Sequence, residues 1–110
     1  MKYQLDVDET GDSSNNTFGE MVTKAIAMLS SNNENGYFLL AEGGMIDRAL
    51  HYNWAKKMGE EVRQFDLGIQ RALELTNRDD TLIIVTADHS HSVSFVGYVD
   101  REVPIYGEMQ

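Results

Sequence analysis

The chain has 110 residues and a formal net charge of −9, a size that suggests at most one domain. It has no basic stripe that could displace counterions from nucleic-acid phosphates, so binding to nucleic acid is not expected. The absence of cysteine excludes disulfides and thiolate zinc sites. Phosphate esters are not excluded as substrates, because bound divalent metals can reverse the local sign of the charge.

Residues 1–16 are acidic and polar, and we expect them to be poorly ordered. Four of them imitate the opening of an EF-hand calcium loop: Asp6, Asp8, Thr10 and Gly11. Thr17 stands where that loop needs a glutamate, so a solvated acidic turn is the more usual explanation. Thr17 and Glu20 instead fit a capping box, which predicts a helix from there to about Ser30.

A first apolar run, 37–42, predicts a buried parallel strand that ends in the carboxylate of Glu42. Gly43 and Gly44 then allow a tight backbone reversal. Asp47 and His51 follow at i and i+4 on the helix that begins there. One face of this helix therefore presents a carboxylate and an imidazole together.

A second apolar run, 82–86, predicts another strand, and Asp88 and His89 follow it almost directly. Between the two runs, apolar residues recur every three or four positions from Ile46 to Leu73, which predicts one long helix covering the sheet. The predicted fold class is therefore α/β, with a β-α-β core that crosses over right-handed. Ligands bind at the carboxyl ends of the strands in such sheets, so both Asp/His pairs are expected at one edge.

Each pair also has an ordinary structural explanation. Asp47 and His51 alone would more often be a hydrogen-bonded surface pair than metal ligands. Asp88 and His89 alone are also typical of a turn at a strand end. Their joint appearance after two apolar runs favours a cluster of divalent metals, with Glu42 as a further carboxylate. Imidazole and carboxylate suit zinc, whereas a carboxylate surrounded by water and hydroxyl oxygens suits magnesium.

The motifs EGGMIDRALH (42–51) and TADHSH (86–91) resemble the metal-binding core of the alkaline phosphatases. The resemblance extends upstream through TFGEMVTKAIAMLS and downstream through SFVGY, and it covers nearly the whole chain but only a minority of the family's length. It implies that residues 1–110 form a single partial domain, a fragment of a larger alkaline phosphatase domain. The β-α-β core would then be an incomplete part of a three-layer alkaline-phosphatase-like sheet.

Carried over position by position, the resemblance implies two zinc ions and one magnesium ion. Glu42 corresponds to a magnesium ligand, the first zinc takes Asp47 and His51, and the second takes Asp88 and His89. His91 corresponds to a neighbour of the site that orients the ligands and is not itself one.

The resemblance implies hydrolysis of phosphate monoesters through a phosphoserine, with the nucleophilic serine and the histidine completing the first zinc site outside these residues. No catalytic residue is therefore expected in this chain, and Ser90 and Ser92 are rejected as nucleophiles. Met45 and Arg48 stand where many relatives have arginine and histidine, which leaves the substrate preference open.

The resemblance also implies a homodimeric parent, possible membrane attachment through a lipid anchor, and an extracellular, cell-surface or periplasmic location. The alternative is a catalytically inactive, truncated product that acts as a metal-binding or interaction module.

Overall fold

A computed structural model of the chain describes residues 2–12, 14–94, 97–98 and 100–103. Its regular structure consists of four helices: α1 (Gln4–Thr10), α2 (Phe18–Ser30), α3 (Gly44–His51) and α4 (Ala55–Leu75). The 21-residue helix α4 is the centre of the fold, because each of the other three packs against it. Among these helices, none is both long and apolar enough to span a membrane.

Helix α2 begins and ends where the sequence predicts. The Thr17 hydroxyl accepts a hydrogen bond from the Glu20 amide at 3.2 Å, and the Thr17 amide donates to the Glu20 carboxylate at 2.7 Å. The predicted capping box is thus confirmed, and two amides at the helix start are satisfied. The helix buries Val22 and Ile26 and brings Phe18 against Phe65 of α4, with ring centroids 5.4 Å apart.

The single long helix predicted after Asp47 is in fact two helices. Helix α3 ends at His51 and α4 begins at Ala55, and between them Asn53 takes a left-handed backbone conformation with φ of 54°. Asparagine tolerates that conformation better than most residues, so it can end one helix and redirect the chain. The apolar period continues across the break, which is why the pattern alone did not reveal it.

The contact between α3 and α4 forms a small apolar core. Ala49 is fully buried, Met45 and Tyr3 lie beside it, and Met58 of α4 packs against them. Tyr3 lies just before α1. The amide of Gln4, the first residue of α1, donates a hydrogen bond to the Glu61 carboxylate at 2.6 Å. Helix α3 is therefore anchored through its inner face, which leaves its other face free to present Asp47 and His51.

The predicted α/β fold class is wrong. The segments 37–42 and 82–86 form no strand, and helices are the only regular elements in the parts of the chain that the structure describes. Four apolar side chains in these segments are at least three-quarters exposed: Phe38, Leu40, Leu82 and Ile84.

The physical reason lies in where each kind of element finds its hydrogen-bond partners. A helix closes its hydrogen bonds within itself, whereas a parallel strand needs neighbouring strands in register, and two strands alone are marginal at best. The two segments instead border a groove of about 800 Å³ whose remaining walls come from α2 and α4. An apolar run specifies a preference for burial, and without sheet neighbours it does not specify a strand.

Candidate metal centre

Helix α3 holds the first two donors of the site. Its backbone starts at Gly44, so Asp47 lies in the first turn and His51 is the last helical residue. The helix places them on one face, with His51 Nε2 3.4 Å from Asp47 Oδ2. The sequence prediction that these two side chains share a face is confirmed by this distance.

The segment after the second apolar run brings two more imidazoles to Asp47. His91 Nε2 lies 2.7 Å from Asp47 Oδ1, and His89 Nε2 lies 3.5 Å from the same oxygen. Because a carboxylate only accepts hydrogen bonds, the His91 ring donates its Nε2–H. The Asp47 carboxylate is therefore surrounded by the Nε2 atoms of three histidines that come from two separate segments.

Ring packing keeps the imidazoles together. The His51 and His91 rings meet edge to face at a centroid distance of 4.7 Å and an interplanar angle of 88°. The His89 and His91 rings lie 5.0 Å apart. His91 is the middle ring and also the most enclosed, with 13% of its side chain exposed compared with 65% for His51.

The electrostatics favour an ionised Asp47. The hydrogen bond from His91 holds the pKa of Asp47 below its ordinary value, against a smaller opposing effect of desolvation, and the three nearby imidazoles add to the lowering. At neutral pH this carboxylate is in the form that binds metals.

The pKa of His89 is raised, whereas that of Asp47 is lowered. Its Nδ1–H donates to the Ser90 carbonyl at 3.0 Å, and this hydrogen bond, together with the charge of Asp88, raises the pKa of His89. Because Nδ1 carries a proton, Nε2 is the atom that can take a second proton or a metal, and it faces the carboxylates of Asp47 and Asp88.

The remaining predicted ligands lie outside this close group. Asp88 has a side chain that is 84% exposed, and its carboxylate approaches His89 Nε2 at 3.5 Å. Glu42 borders a separate pocket of about 270 Å³ that is also lined by Met45, Gln64 and Phe65. The proposed magnesium role of Glu42 and the second-zinc roles of Asp88 and His89 stay predictions.

Among the described residues, one group of three metal-binding side chains has its donor atoms within 4.8 Å of one another: Asp47, His51 and His91. The donor set is one carboxylate and two imidazoles, which is a chemistry that zinc accepts. Sequence reasoning treated His91 as a neighbour of the site. The spacing of two residues between His89 and His91 allows both to share a face of an extended segment, but this spacing alone does not show that His91 reaches Asp47.

A carboxylate and imidazoles that converge on the outer face of a packed helix form a donor set of the kind that can bind zinc. The whole chain, residues 1–110, matches the family model described as Alkaline phosphatase. The chain belongs to the alkaline phosphatase family, as its motifs indicated.

Curated relatives extend this result. The chain is 48% identical over 89 residues to alkaline phosphatase 4 of Drosophila melanogaster, covering 80% of this chain and 15% of that protein. It is 46% identical over 107 residues to the tissue-nonspecific isozyme of Felis catus, covering 97% of this chain and 20% of that protein. The membrane-bound alkaline phosphatase of Bombyx mori is 38% identical over 110 residues, covering 100% of this chain and 19% of that protein.

The chain thus spans a fifth or less of the length of these relatives. No solved structure matches it significantly.

Proposed function

We propose that this chain is the metal-binding segment of an alkaline phosphatase that hydrolyses phosphate monoesters through a phosphoserine, with the nucleophile outside these residues. The observation that carries the proposal is the environment of Asp47, whose carboxylate is approached by His51, His89 and His91 in a chain of this family. Its support is chemical, because an ionised carboxylate among imidazoles is a donor set for zinc.

Each donor has a specific part in the proposed site. Asp47 and His51 would hold one zinc ion, Asp88 and His89 a second, and Glu42 the magnesium ion. A bound zinc supplies Lewis acidity that lowers the pKa of a coordinated hydroxyl and stabilises the oxygens of a transferring phosphoryl group.

The chain's own contribution is position and charge. The buried Ala49 anchors α3, so the Asp47 carboxylate and the His51 ring are held on a fixed face of a packed helix. The hydrogen bond from His91 keeps Asp47 ionised and restricts its rotation.

The partners of the whole protein follow from the same proposal. Phosphate monoesters are the proposed substrates, and a homodimeric parent with a lipid anchor is the proposed assembly. The Bombyx mori relative is named a membrane-bound alkaline phosphatase, which supports membrane attachment.

A second candidate is a catalytically inactive product that binds metal without hydrolysing phosphate esters. It is favoured by the fact that the described part of the chain contains one compact three-donor group. A module of this kind would need metal binding and no nucleophile.

Turnover of a chromogenic phosphate monoester at alkaline pH, with zinc and magnesium, separates the two candidates. The 110-residue chain and the longest product of the same gene are each assayed as wild type, as Asp47→Asn and as Asp79→Asn, with a chelator control. Asp79 is the matched control because it is an exposed carboxylate outside the donor group.

The proposal expects turnover by the longest product, loss of that turnover in Asp47→Asn and after chelation, and retention in Asp79→Asn. Zinc binding without turnover in the longest product would support the inactive module. Turnover by the 110 residues alone would contradict the proposal that the nucleophile lies outside them. Ser90 and Ser92 would then be the residues to test as nucleophiles.

A further inference from the structure

We propose that a second copy of this chain docks on the exposed side of the two apolar segments, so that the 110-residue chain forms a two-fold symmetric dimer. The contact surface, which we call the apolar layer, consists of five side chains: Phe38, Leu40, Leu82, Ile84 and Val85. The inference goes beyond the proposed function and does not depend on it, because the contact involves neither a metal nor a substrate. It is also separate from the homodimeric parent proposed above, for which no contact surface has been assigned.

The apolar layer is the outer side of two segments whose other side is directed at the protein. Leu39 and Ile83, in the middle of the two segments, are half-buried, whereas the layer residues on either side of them are exposed. Such alternation is typical of an extended chain, in which successive side chains point in opposite directions. Both segments line the groove whose other walls come from α2 and α4. The two segments therefore present one shared apolar surface.

The apolar layer is too large to be an incidental surface feature. The exposed fraction of its side chains ranges from 52% for Val85 to 86% for Phe38. Together they present roughly 800 Å² of apolar area, whereas the largest apolar patch on a typical monomer is roughly 300–600 Å². About 800 Å² is also what each partner contributes to a stable interface of standard size. The area is therefore sufficient for a dimer without any further contact.

The distribution of charge favours a second copy as the partner and this surface as the contact. The chain has a net charge of −9, so two copies repel each other wherever their acidic surfaces meet. Among the described residues that line the groove, in contrast, Asp80 alone is charged. The same negative charge disfavours nucleic acid or an anionic lipid surface as the occupant. Two copies that meet at the apolar layer cover it on both sides and keep their acidic surfaces in water.

The backbone of the two segments is also available for contact. Within the part of the chain that the structure describes, the backbone groups of residues 37–41 and 82–86 have no backbone hydrogen-bond partner. Extended apolar segments with unpaired N–H and C=O groups tend to associate with another chain. In a two-fold contact the same patch of each copy covers the other, so the assembly closes at two chains.

The first experiment measures self-association of the 110-residue chain by sedimentation equilibrium, with a chelator present so that metal ions cannot bridge the copies. The expected result is an equilibrium that saturates at two chains, with a Kd in the micromolar range or tighter. Salt screens the repulsion between the acidic copies, so the dimer should become tighter as the salt concentration rises. A chain that stays monomeric throughout the micromolar range, a dimer that weakens with salt, or growth beyond two copies would overturn the inference.

The second experiment places a charge in the apolar layer. Leu82 is largely exposed in one copy, so Leu82→Glu should leave the fold of that copy intact. In the dimer the new carboxylate is buried without a partner, and we expect association to weaken by more than about 100-fold. Leu75→Glu is the matched control, because Leu75 is an exposed leucine at the end of α4 that does not line the groove. Its effect should be about threefold or less, and equal weakening by both variants would contradict the proposed contact.

A mixture of two charged variants separates loss of the contact from loss of the fold. Leu82→Glu and Leu82→Lys should each be monomeric at concentrations where the wild type is dimeric. Mixed together, they should form a heterodimer at least about 10-fold tighter than either variant alone, because opposite charges then meet across the contact. A misfolded chain cannot be rescued in this way. Absence of rescue would overturn the two-fold contact through the apolar layer.

Discussion

The two halves of the candidate site are held in place by different means. Asp47 and His51 lie on α3, a helix that satisfies its own hydrogen bonds and is anchored by the fully buried Ala49. His89 and His91 lie on a segment without regular structure that follows an apolar run with exposed Leu82 and Ile84. Local hydrogen bonds thus determine one half of the site, whereas contacts to Asp47 hold the other half against it.

The largest expected effect comes from removing one carboxylate from each half of the site, which tests whether the two halves contribute differently to zinc binding. We expect Asp47→Ala to weaken zinc binding by more than about 100-fold, because every imidazole of the cluster faces this carboxylate. Asp88→Ala should weaken binding of the first equivalent of zinc by about 10-fold or less. The Asp88 side chain is 84% exposed and contacts only His89 among the three histidines. Isothermal titration calorimetry on both variants gives the measurement, and equal losses would show that the two halves contribute alike.

Helix α4, which anchors α3, also packs closely against α2, and Gly68→Ala tests this second contact. A methyl group at Gly68 would collide with the ring of Phe18, which is itself packed against Phe65. Overpacking of this kind costs about 1–3 kcal/mol, and the better helix propensity of alanine offsets up to about 1 kcal/mol. The expected net loss of unfolding free energy in urea denaturation is about 1–2 kcal/mol.

Gly19→Ala is the matched control on the other side of the same contact. A methyl group there would meet its nearest neighbour, Arg71, at an ordinary contact distance of 3.7 Å. We expect no loss of stability, and a gain of up to about 1 kcal/mol from the reduced entropy of the unfolded chain. If the two glycine variants changed the free energy of unfolding equally, helices α2 and α4 would be packed less closely at Gly68 than the structure indicates.

Loss of the α2 cap is expected to have a smaller effect. Thr17→Ala removes the side-chain acceptor of the Glu20 amide and should cost about 1 kcal/mol of unfolding free energy. Thr23→Ala is the control, because Thr23 donates to the Gly19 carbonyl within the helix and supplies no terminal cap. Circular dichroism during thermal unfolding should show a lower midpoint for Thr17→Ala only, and an equal shift in both would contradict a specific capping role.

The smallest expected effect concerns Glu61, which joins the N-terminal segment to α4. Partial burial raises the pKa of Glu61, and the hydrogen bond from the Gln4 amide opposes this only in part. A carboxyl group with a raised folded-state pKa contributes stability that is fully present below its ordinary value of 4.5 and is lost as the pH rises through the folded-state pKa.

Glu61→Gln should therefore stabilise the chain at neutral pH by less than about 1 kcal/mol, since glutamine can still accept from Gln4. The gain should disappear below the ordinary pKa of 4.5. Thermal melts across this range give the test, with Glu74→Gln at an exposed surface ion pair as the control. A gain that persists in acid would exclude the carboxyl charge as its cause.

The predictions from sequence succeeded where the interactions are local. The capping box at Thr17 and Glu20 correctly placed the start of α2, and the i,i+4 spacing correctly placed Asp47 and His51 on one helical face. The long periodic segment was correctly predicted as helical, but the left-handed Asn53 divides it into α3 and α4. The apolar period indicates which residues face the core. Because the turn at Asn53 leaves the same sides of α3 and α4 against the core, the period continues across it.

The predictions failed where the outcome depends on distant residues. The apolar runs 37–42 and 82–86 have the composition of buried strands. A strand, however, needs neighbouring strands to pair with its backbone hydrogen-bonding groups, and the described residues include no neighbouring strand. The family was evident from two short motifs, EGGMIDRALH and TADHSH, and the match over residues 1–110 confirmed it.

The amino-acid sequence by itself determined the N-terminal cap of α2, the shared face of Asp47 and His51, and membership of the alkaline phosphatase family. Only the tertiary structure decided that α4 is the common packing partner of the other helices and that His91 is the imidazole closest to Asp47. The reason is the range of the interactions involved. Caps and i,i+4 pairs are set within one turn of helix, whereas the distance between residues 47 and 91 depends on how the intervening chain packs.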